Sequence, residues 1–125
     1  MIEPNTVREV CYLIGANGEV LWRDSGTASA LPDSRGRWEA IWTRRSELFE
    51  IAHTHPAGPL NFSNEDRTTM QALWAALGPG VAFSVVTPTA MIRMSASGDI
   101  ERVSEEPGWV KAIRFASGLK NAAGG

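Results

Sequence analysis

Two histidines separated by a single residue, followed further along by an aspartate, are the side chains best suited to chemistry in this chain. They are His53, His55 and Asp66. Alternate residues of a strand point to the same face, so two histidines at this spacing can offer both imidazoles to one ion. With a carboxylate as third ligand they form a set that holds a catalytic zinc and leaves its fourth position for water. The pattern therefore predicts one catalytic Zn²⁺ bound by these three residues.

The same aspartate belongs to a second pattern, which predicts the start of a helix. Ser63 stands three residues before Asp66, the spacing of a capping box in which each side chain accepts a hydrogen bond from the backbone of the other. By itself, Ser-x-x-Asp caps a helix more often than it binds a ligand. The two roles are compatible, because capping would fix the position of both side chains. A helix cap and a metal site are therefore both expected here.

The segment resembles the signature of the JAB/MPN (JAMM) zinc metalloprotease family. It reads His-Thr-His-Pro over residues 53–56, then six residues, then Ser-x-x-Asp, which is similar to the family pattern H-[ST]-H-P-x6-S-x-x-D. The resemblance implies zinc ligands at His53, His55 and Asp66 and a catalytic hydroxyl at Ser63. It also implies cleavage of peptide or isopeptide bonds at the C-terminal tail of ubiquitin or a ubiquitin-like protein.

The family also requires a general acid/base, usually a glutamate that opens a strand in a pattern similar to E-x-C-G-L-L. The run from Glu9 to Ile14, EVCYLI, resembles this pattern, with tyrosine where glycine is commoner. The resemblance thus implies a catalytic role for Glu9, while a solvated strand start is the other interpretation. Glu50 is a poor alternative, since at three residues from His53 on one strand it should point to the opposite face. Relatives usually carry a helix before this glutamate, and that helix is expected to be missing here.

Helical and strand patterns alternate along the chain, which predicts an α/β fold. Strands are predicted over residues 9–14, 19–23, 49–52, 81–86, 90–94 and 100–103, with an Asn-Gly turn between the first two. Helices are predicted over 37–48, over 64–77 and from Pro107 onward. Trp38 and Trp42 are expected to lie in the core or at an interface. This order implies a mixed β-sheet sandwiched by helices, one JAB/MPN-like domain over 1–120 with a flexible tail at 121–125.

Composition and charge restrict the class of protein. With 43 % hydrophobic and 21 % charged residues, the 125-residue chain has the composition of one globular domain. A net charge of −2 provides no basic field for nucleic acid, and no apolar run approaches the roughly 18–20 residues that cross a bilayer. The single cysteine, Cys11, excludes an internal disulfide and a cysteine-rich zinc site. A cytoplasmic protein that binds neither nucleic acid nor membrane is expected.

The compact surroundings of the motif are similar to those of small prokaryotic family members that process ubiquitin-like or sulfur-carrier proteins. Some of these stand beside activating and conjugating enzymes in conjugation or antiviral operons. The expected partners are therefore a ubiquitin-like substrate and its activating or conjugating enzymes, with a dimer or a second protein completing the fold as a further expectation. The loop over 24–37 is expected to hold an extended tail, in a narrow space that demands glycine near the cut bond. Two alternatives stay open, a catalytically inactive MPN-type binding scaffold and a RadC-like member associated with DNA repair.

Overall fold

In the computed structural model, which describes residues 7–119, six strands form one mixed sheet with helices on both faces. The strands are β1 (Val10–Gly15), β2 (Val20–Ser25), β3 (Leu48–Thr54), β4 (Ala82–Val86), β5 (Met91–Met94) and β6 (Ile100–Arg102). The helices are α1 (Arg35–Thr43), α2 (Asn64–Leu77) and α3 (Gly108–Ala116). The strand order is β2-β1-β3-β4-β5-β6, with β3 and β4 parallel and the other neighbours antiparallel. The predicted α/β fold is confirmed, and the predicted tail at 121–125 lies outside the described residues.

Alternation along the central strands divides the apolar side chains between two cores. One face of the sheet packs against α1 and α2, through Cys11, Leu13, Ile41, Ile51, Met70 and Leu73. The other face packs against α3, through Val10, Tyr12, Ile14, Trp109, Val110 and Ile113. Every residue of β1 is buried, as expected of a strand that is covered on both faces. None of the helices within residues 7–119 is long and apolar enough to cross a membrane.

Two predicted boundaries around the histidine segment are wrong. The helix predicted over 37–48 already ends at Thr43, and the turn that follows leads into β3 at Leu48. The strand is correspondingly longer than the predicted 49–52, and it includes His53. Because β3 lies between β1 and β4, His53 pairs with Cys11 on one side and with Val85 on the other. These long-range partners cannot be seen in a short window of sequence.

The tryptophans of α1 lie outside the buried core, so of the two expected positions for them only an interface remains a prediction. Trp38 and Trp42 are 37 % and 56 % exposed, and Ile41 is the buried residue of this helix. The guanidinium of Arg45 lies 4.0 Å from the centre of the Trp42 ring, where a cation is attracted by the ring's electrons. Aromatic residues at helical spacing therefore predicted the helix correctly but not the face that packs.

The fold brings the start of β1, the end of β2 and the end of β3 to one edge of the sheet. The N–H of Glu9 donates to the carbonyl of Thr27 at 2.7 Å, and the N–H of Gly26 donates to the carbonyl of Glu9 at 2.8 Å. These bonds continue the β1–β2 pairing beyond both strands. The residue before β1 is thereby held beside the segment that follows β3, where the histidines lie.

Candidate functional site

The third strand delivers both histidines to the edge where the sheet ends. His53 is the last residue but one of β3, and His55 directly follows the strand, with its N–H still donating to the carbonyl of Val86 at 2.9 Å. Their side chains leave the same face, and the two Nε2 atoms are 3.0 Å apart. A turn begins at Pro56 and leads the chain away from the sheet, so both imidazoles border open space.

An aspartate from the first turn of α2 reaches these histidines. Oδ1 of Asp66 lies 3.3 Å from Nε2 of His53, and Oδ2 lies 3.5 Å from Nε2 of His55. Ser63 is the N-cap of α2. Its Oγ accepts the N–H of Asp66 at 3.0 Å, and its own N–H donates to Oδ2 at 2.8 Å. The predicted capping box is confirmed, and the capping carboxylate also completes the side-chain cluster.

The spacing of the three side chains is close to that of the donors around one zinc ion. The donors of a tetrahedral zinc with bonds of roughly 2.0–2.2 Å lie about 3.3–3.6 Å from one another. In this cluster the two Nε2 atoms are 3.0 Å apart, and Asp66 approaches them with one carboxylate oxygen each, at 3.3 and 3.5 Å. Two imidazoles and a carboxylate are also the donor types that bind catalytic zinc. The group of His53, His55 and Asp66 could therefore hold a metal ion.

A backbone carbonyl fixes the orientation of the second imidazole. Nδ1 of His55 lies 2.9 Å from the carbonyl oxygen of Pro59. A carbonyl can only accept, so Nδ1 carries the proton and the lone pair of the neutral ring is on Nε2, which faces the cluster. A carbonyl behind a histidine is a usual outer partner of metal-bound imidazole. The segment after β3 thus prepares His55 as a ligand.

The site stabilises a carboxylate and attracts a positive charge. Burial raises the pKa of Asp66, but hydrogen bonds from both histidines and from the Ser63 amide outweigh it and hold the pKa far below its ordinary value. Burial lowers the pKa of His55, whereas Asp66, the Pro59 carbonyl and Glu9 raise it, and the net shift is upward. A proton on His55 and a metal ion therefore compete for the same negative environment.

The predicted acid/base, Glu9, faces the same centre from the start of β1. Cys11 pairs with His53, so continuing this antiparallel register by two residues sets Glu9 opposite His55. Glu9 and the three cluster residues line one cavity. Burial raises the pKa of Glu9, and attraction to His53 and His55 offsets this only in part. All five predicted site residues thus meet at one edge of the sheet, while the catalytic role of Glu9 stays a prediction.

Two other reactive side chains nearby are engaged or neutral. The carboxylate of Glu50 is 2 % exposed and accepts hydrogen bonds from Ser84 and, at 2.9 Å, from Nε of Arg93, away from the cluster as expected. Burial raises the pKa of the Cys11 thiol to about 12. A thiol with such a pKa is neutral at physiological pH and is not a nucleophile. Neither group competes with Glu9 for a catalytic role.

A cavity of about 850 Å³ opens beside the cluster, and the sequence did not predict it. Its lining runs from the histidines to the loop between β2 and α1, to both helices on this face and to the sheet. A cavity of this volume is larger than the narrow space that was expected near the cut bond. Because its lining residues are dispersed over several elements, no local sequence pattern could have identified them.

The loop between β2 and α1 forms one wall of this cavity and is held by Arg37. The guanidinium pairs with both carboxylate oxygens of Asp24, at 3.1 Å from Nε and 2.8 Å from Nη2, and it also donates to the carbonyl of Pro32 at 3.0 Å. Within the loop, the N–H of Thr27 donates to the carbonyl of Ala30 at 2.8 Å. A bidentate arginine–carboxylate pair fixes the orientation of both side chains and is stronger than a single hydrogen bond. The expected ordering of this loop over a bound tail stays a prediction.

Asp66→Asn should remove zinc binding and keep the helix cap. The amide oxygen can still accept the Ser63 N–H, whereas the negative ligand is lost. We expect about one equivalent of zinc in the wild-type chain and little in the variant, by elemental analysis. Asp99→Asn, in the turn before β6, is the matched control and should keep its zinc. Equal zinc in both variants would exclude Asp66 as a ligand.

Ser63→Ala should weaken the fold and spare the metal. The change removes the side-chain acceptor for the Asp66 N–H but no ligand atom. We expect the free energy of unfolding of the metal-free chain to fall by about 1 kcal/mol, measured by urea denaturation, with zinc content unchanged. Ser46→Ala, at an exposed turn position, should leave stability within error. An unchanged midpoint for Ser63→Ala would show that the cap contributes nothing.

Zinc affinity and metal-free stability should change with pH in opposite directions. The proton on His55 must leave before zinc binds, so affinity should rise between pH 6 and 8, by at most about tenfold per unit for one displaced proton. In the metal-free chain, the raised pKa of His55 adds stability that is complete below the ordinary value of roughly 6.5 and is lost as pH rises through the folded value. Competition with a chelator and urea denaturation, both at pH 6, 7 and 8, measure the two trends. A flat affinity profile would contradict the assignment.

One protein family has a sequence profile that matches most of the chain. The family is described as prokaryotic homologs of the JAB domain, and the match covers residues 4–102. That span includes all six strands, the helices α1 and α2, and every residue of the candidate site. No curated protein matches the chain. With the match extending over well more than half of its length, the chain belongs to the prokaryotic JAB-domain family.

Proposed function

We propose that this protein is a zinc-dependent peptidase or isopeptidase that cuts at the C-terminal tail of a ubiquitin-like protein. The observation that carries the proposal is the cluster of His53, His55 and Asp66 with Glu9 in the same cavity. The JAB family includes hydrolases, which supports the broader statement that the chain hydrolyses a bond. The tail of a ubiquitin-like protein as substrate is proposed on the resemblance of the motif.

The reaction adds water across an amide bond. When bound by the cluster, zinc would supply a water of lowered pKa, near ~7, and an electrophile for the carbonyl oxygen. The carboxylate of Glu9 takes one proton from the attacking water and later delivers it to the leaving nitrogen, so that an acid and an amine are released. The raised pKa of Glu9 suits this exchange, because a more basic carboxylate holds the proton between the two steps.

The hydroxyl of Ser63 is available to the carbonyl oxygen of the substrate. Its Oγ uses a lone pair to accept the Asp66 N–H, so its own proton remains free for donation. Ser63 is exposed at the mouth of the site. A donor aimed at a developing oxyanion contributes roughly 10²–10³-fold in rate in comparable sites. Ser63 therefore has a capping role, seen in its contacts, and a proposed catalytic role that uses a different atom.

An extended tail has a path along the edge strand β2. This strand lies at one border of the sheet and runs toward the site, where the loop of residues 26–34 continues beside Glu9. An edge strand can accept a further strand through its unpaired backbone groups. The proposed partners are a ubiquitin-like substrate with an extended tail and the activating or conjugating enzymes that act on it, in the cytoplasm of a prokaryote. An antiviral or other conjugation system is the proposed context.

Glu9→Gln should abolish turnover and preserve the metal. The amide cannot take a proton from water, so we expect the cleavage rate of a ubiquitin-like fusion to fall by roughly 10²–10⁴-fold, with zinc content unchanged. Glu105→Gln, at an exposed position between β6 and α3, is the matched control and should cleave as the wild type does. Full activity in Glu9→Gln would assign the proton transfer to another group.

Measuring zinc binding and cleavage on the same samples tests the proposed function. Zinc-loaded wild-type chain should cleave the fusion, a chelator should stop cleavage, and a His53→Ala/His55→Ala double variant should neither bind zinc nor cleave. The double variant must show wild-type circular dichroism for the comparison to count. A wild-type chain that binds no metal after incubation with zinc would favour the alternative of an MPN-type binding scaffold. Metal binding without cleavage of any ubiquitin-like fusion would remove the proposed substrate.

A further inference from the structure

The cavity beside the cluster has an apolar floor. Six apolar side chains from the loop, both helices and the sheet line it: Leu31, Ile41, Ile51, Met70, Leu73 and Phe83. All but the loop leucine belong to the buried core of this face, with exposures of 7 % or less. A volume of about 850 Å³ falls within the range of cavities that hold small ligands. The cavity thus reaches the buried core of this face beside His53, His55 and Asp66.

Charge does not extend over this floor. Apart from the two histidines of the cluster, the basic residue among the described residues of the lining is Arg37, and its guanidinium already pairs with Asp24. Asp33 and Glu65 also belong to the lining and are exposed to solvent. An acidic substrate side chain would meet these carboxylates without gaining a cation. On the floor itself a charged group of either sign would be buried among apolar side chains without a partner, so an uncharged apolar group suits it.

A close backbone contact at Gly26 fixes the loop that carries Leu31. A Cβ atom added to Gly26 would lie 2.2 Å from the carbonyl oxygen of Ala30 and 2.9 Å from the Cα of Leu31. Only glycine therefore allows the loop to fold back this closely on the end of β2. Together with the hydrogen bond from Arg37 to Pro32, this contact fixes Leu31 beside the helices.

We propose that the floor is a specificity pocket for a large apolar side chain, such as leucine, methionine or phenylalanine, on a residue adjacent to the cleaved bond. The inference rests on the proposed peptidase function. Metal ligands and floor share one cavity, and neighbouring Cα atoms of a peptide are about 3.8 Å apart. A bond held at the cluster therefore places an adjacent side chain over the floor. An apolar side chain there removes apolar surface from water, whereas glycine would leave that surface wet.

Cleavage of matched fusions tests the pocket. The two residues flanking the cut in a ubiquitin-like fusion are each varied among Gly, Leu, Phe, Lys and Glu, and kcat/KM is measured with the zinc-loaded full chain. Differences in hydrophobic fit are worth roughly 10–200-fold. We expect Leu or Phe to exceed Gly by a factor in that range at one of the two positions, with Lys and Glu no better than Gly. Equal values for Gly, Leu and Phe at both positions would overturn the pocket and leave the peptidase function intact.

A filling variant links the preference to this cavity. Ala30 is exposed and lines the cavity, so Ala30→Phe introduces bulk at its mouth without disturbing the core. We expect the ratio of kcat/KM for Leu over Gly to fall at least severalfold. Ala72→Phe, exposed on α2 and outside the cavity lining, is the matched control and should keep the wild-type ratio. Equal ratios in the two variants would overturn the assignment to this floor.

Binding without catalysis separates the pocket from the proposed function. Methionine methyl NMR of the full chain follows Met70, which lines the cavity, and Met91, which lies in the core on the opposite face. N-acetyl-leucinamide at millimolar concentration should shift the Met70 signal and leave Met91 in place, and N-acetyl-glycinamide should shift neither. If a zinc-binding chain cleaves no fusion, the proposed peptidase function fails and this measurement decides the pocket. A Met70 signal that ignores the leucine amide would then overturn it.

Discussion

The carboxylate of Asp66 serves the helix and the side-chain cluster at the same time. One of its oxygens accepts the Ser63 N–H, and both oxygens lie near the histidine Nε2 atoms. The start of a helix carries a partial positive charge, so a carboxylate is stabilised there whether or not a cation is bound. The cluster is therefore held in place by secondary structure before it meets a ligand. Pre-arranged ligands lose little freedom on binding, which is the condition a catalytic metal site requires.

The register of the central strands supplies the remaining part of the site. Antiparallel pairing of Cys11 with His53 sets the residue before β1 against the residue after β3. A shift of the register by one residue would turn Glu9 to the opposite face, toward α3. That slip would also exchange the apolar residues of the two cores, so the packing of β1 that stabilises the fold also determines where Glu9 points. Glu9 and the three cluster residues need no contact with each other to be aligned.

Short sequence patterns predicted the features that depend on one strand or one helix turn. They failed for features that depend on contacts between residues distant in sequence. The His-x-His spacing, the capping box at Ser63 and the parity of Glu50 follow from the geometry of one strand or one helix turn, and all three match the structure. Glu9 lies far from the motif in sequence, so resemblance to a family and not spacing identified it. The end of α1 and the exposure of Trp42 depend on how the helix meets the sheet, which no short window contains. The cavity is shaped by side chains from the loop, two helices and the sheet, and it could not be predicted.

The candidate chemistry and the stability of the fold rest on different residues. The two cores are apolar and cover both faces of the sheet, whereas His53, His55, Asp66 and Glu9 are partly exposed at the ends of its strands. A zinc finger folds only with its metal because it lacks such cores. Here a metal would add stability only through its preference for the folded state. Glu50 and Arg93 differ from the candidate site, because these two side chains neutralise each other within the protein and need no ligand. In the candidate site, by contrast, the carboxylate of Asp66 contacts two imidazoles that can themselves bind a metal ion.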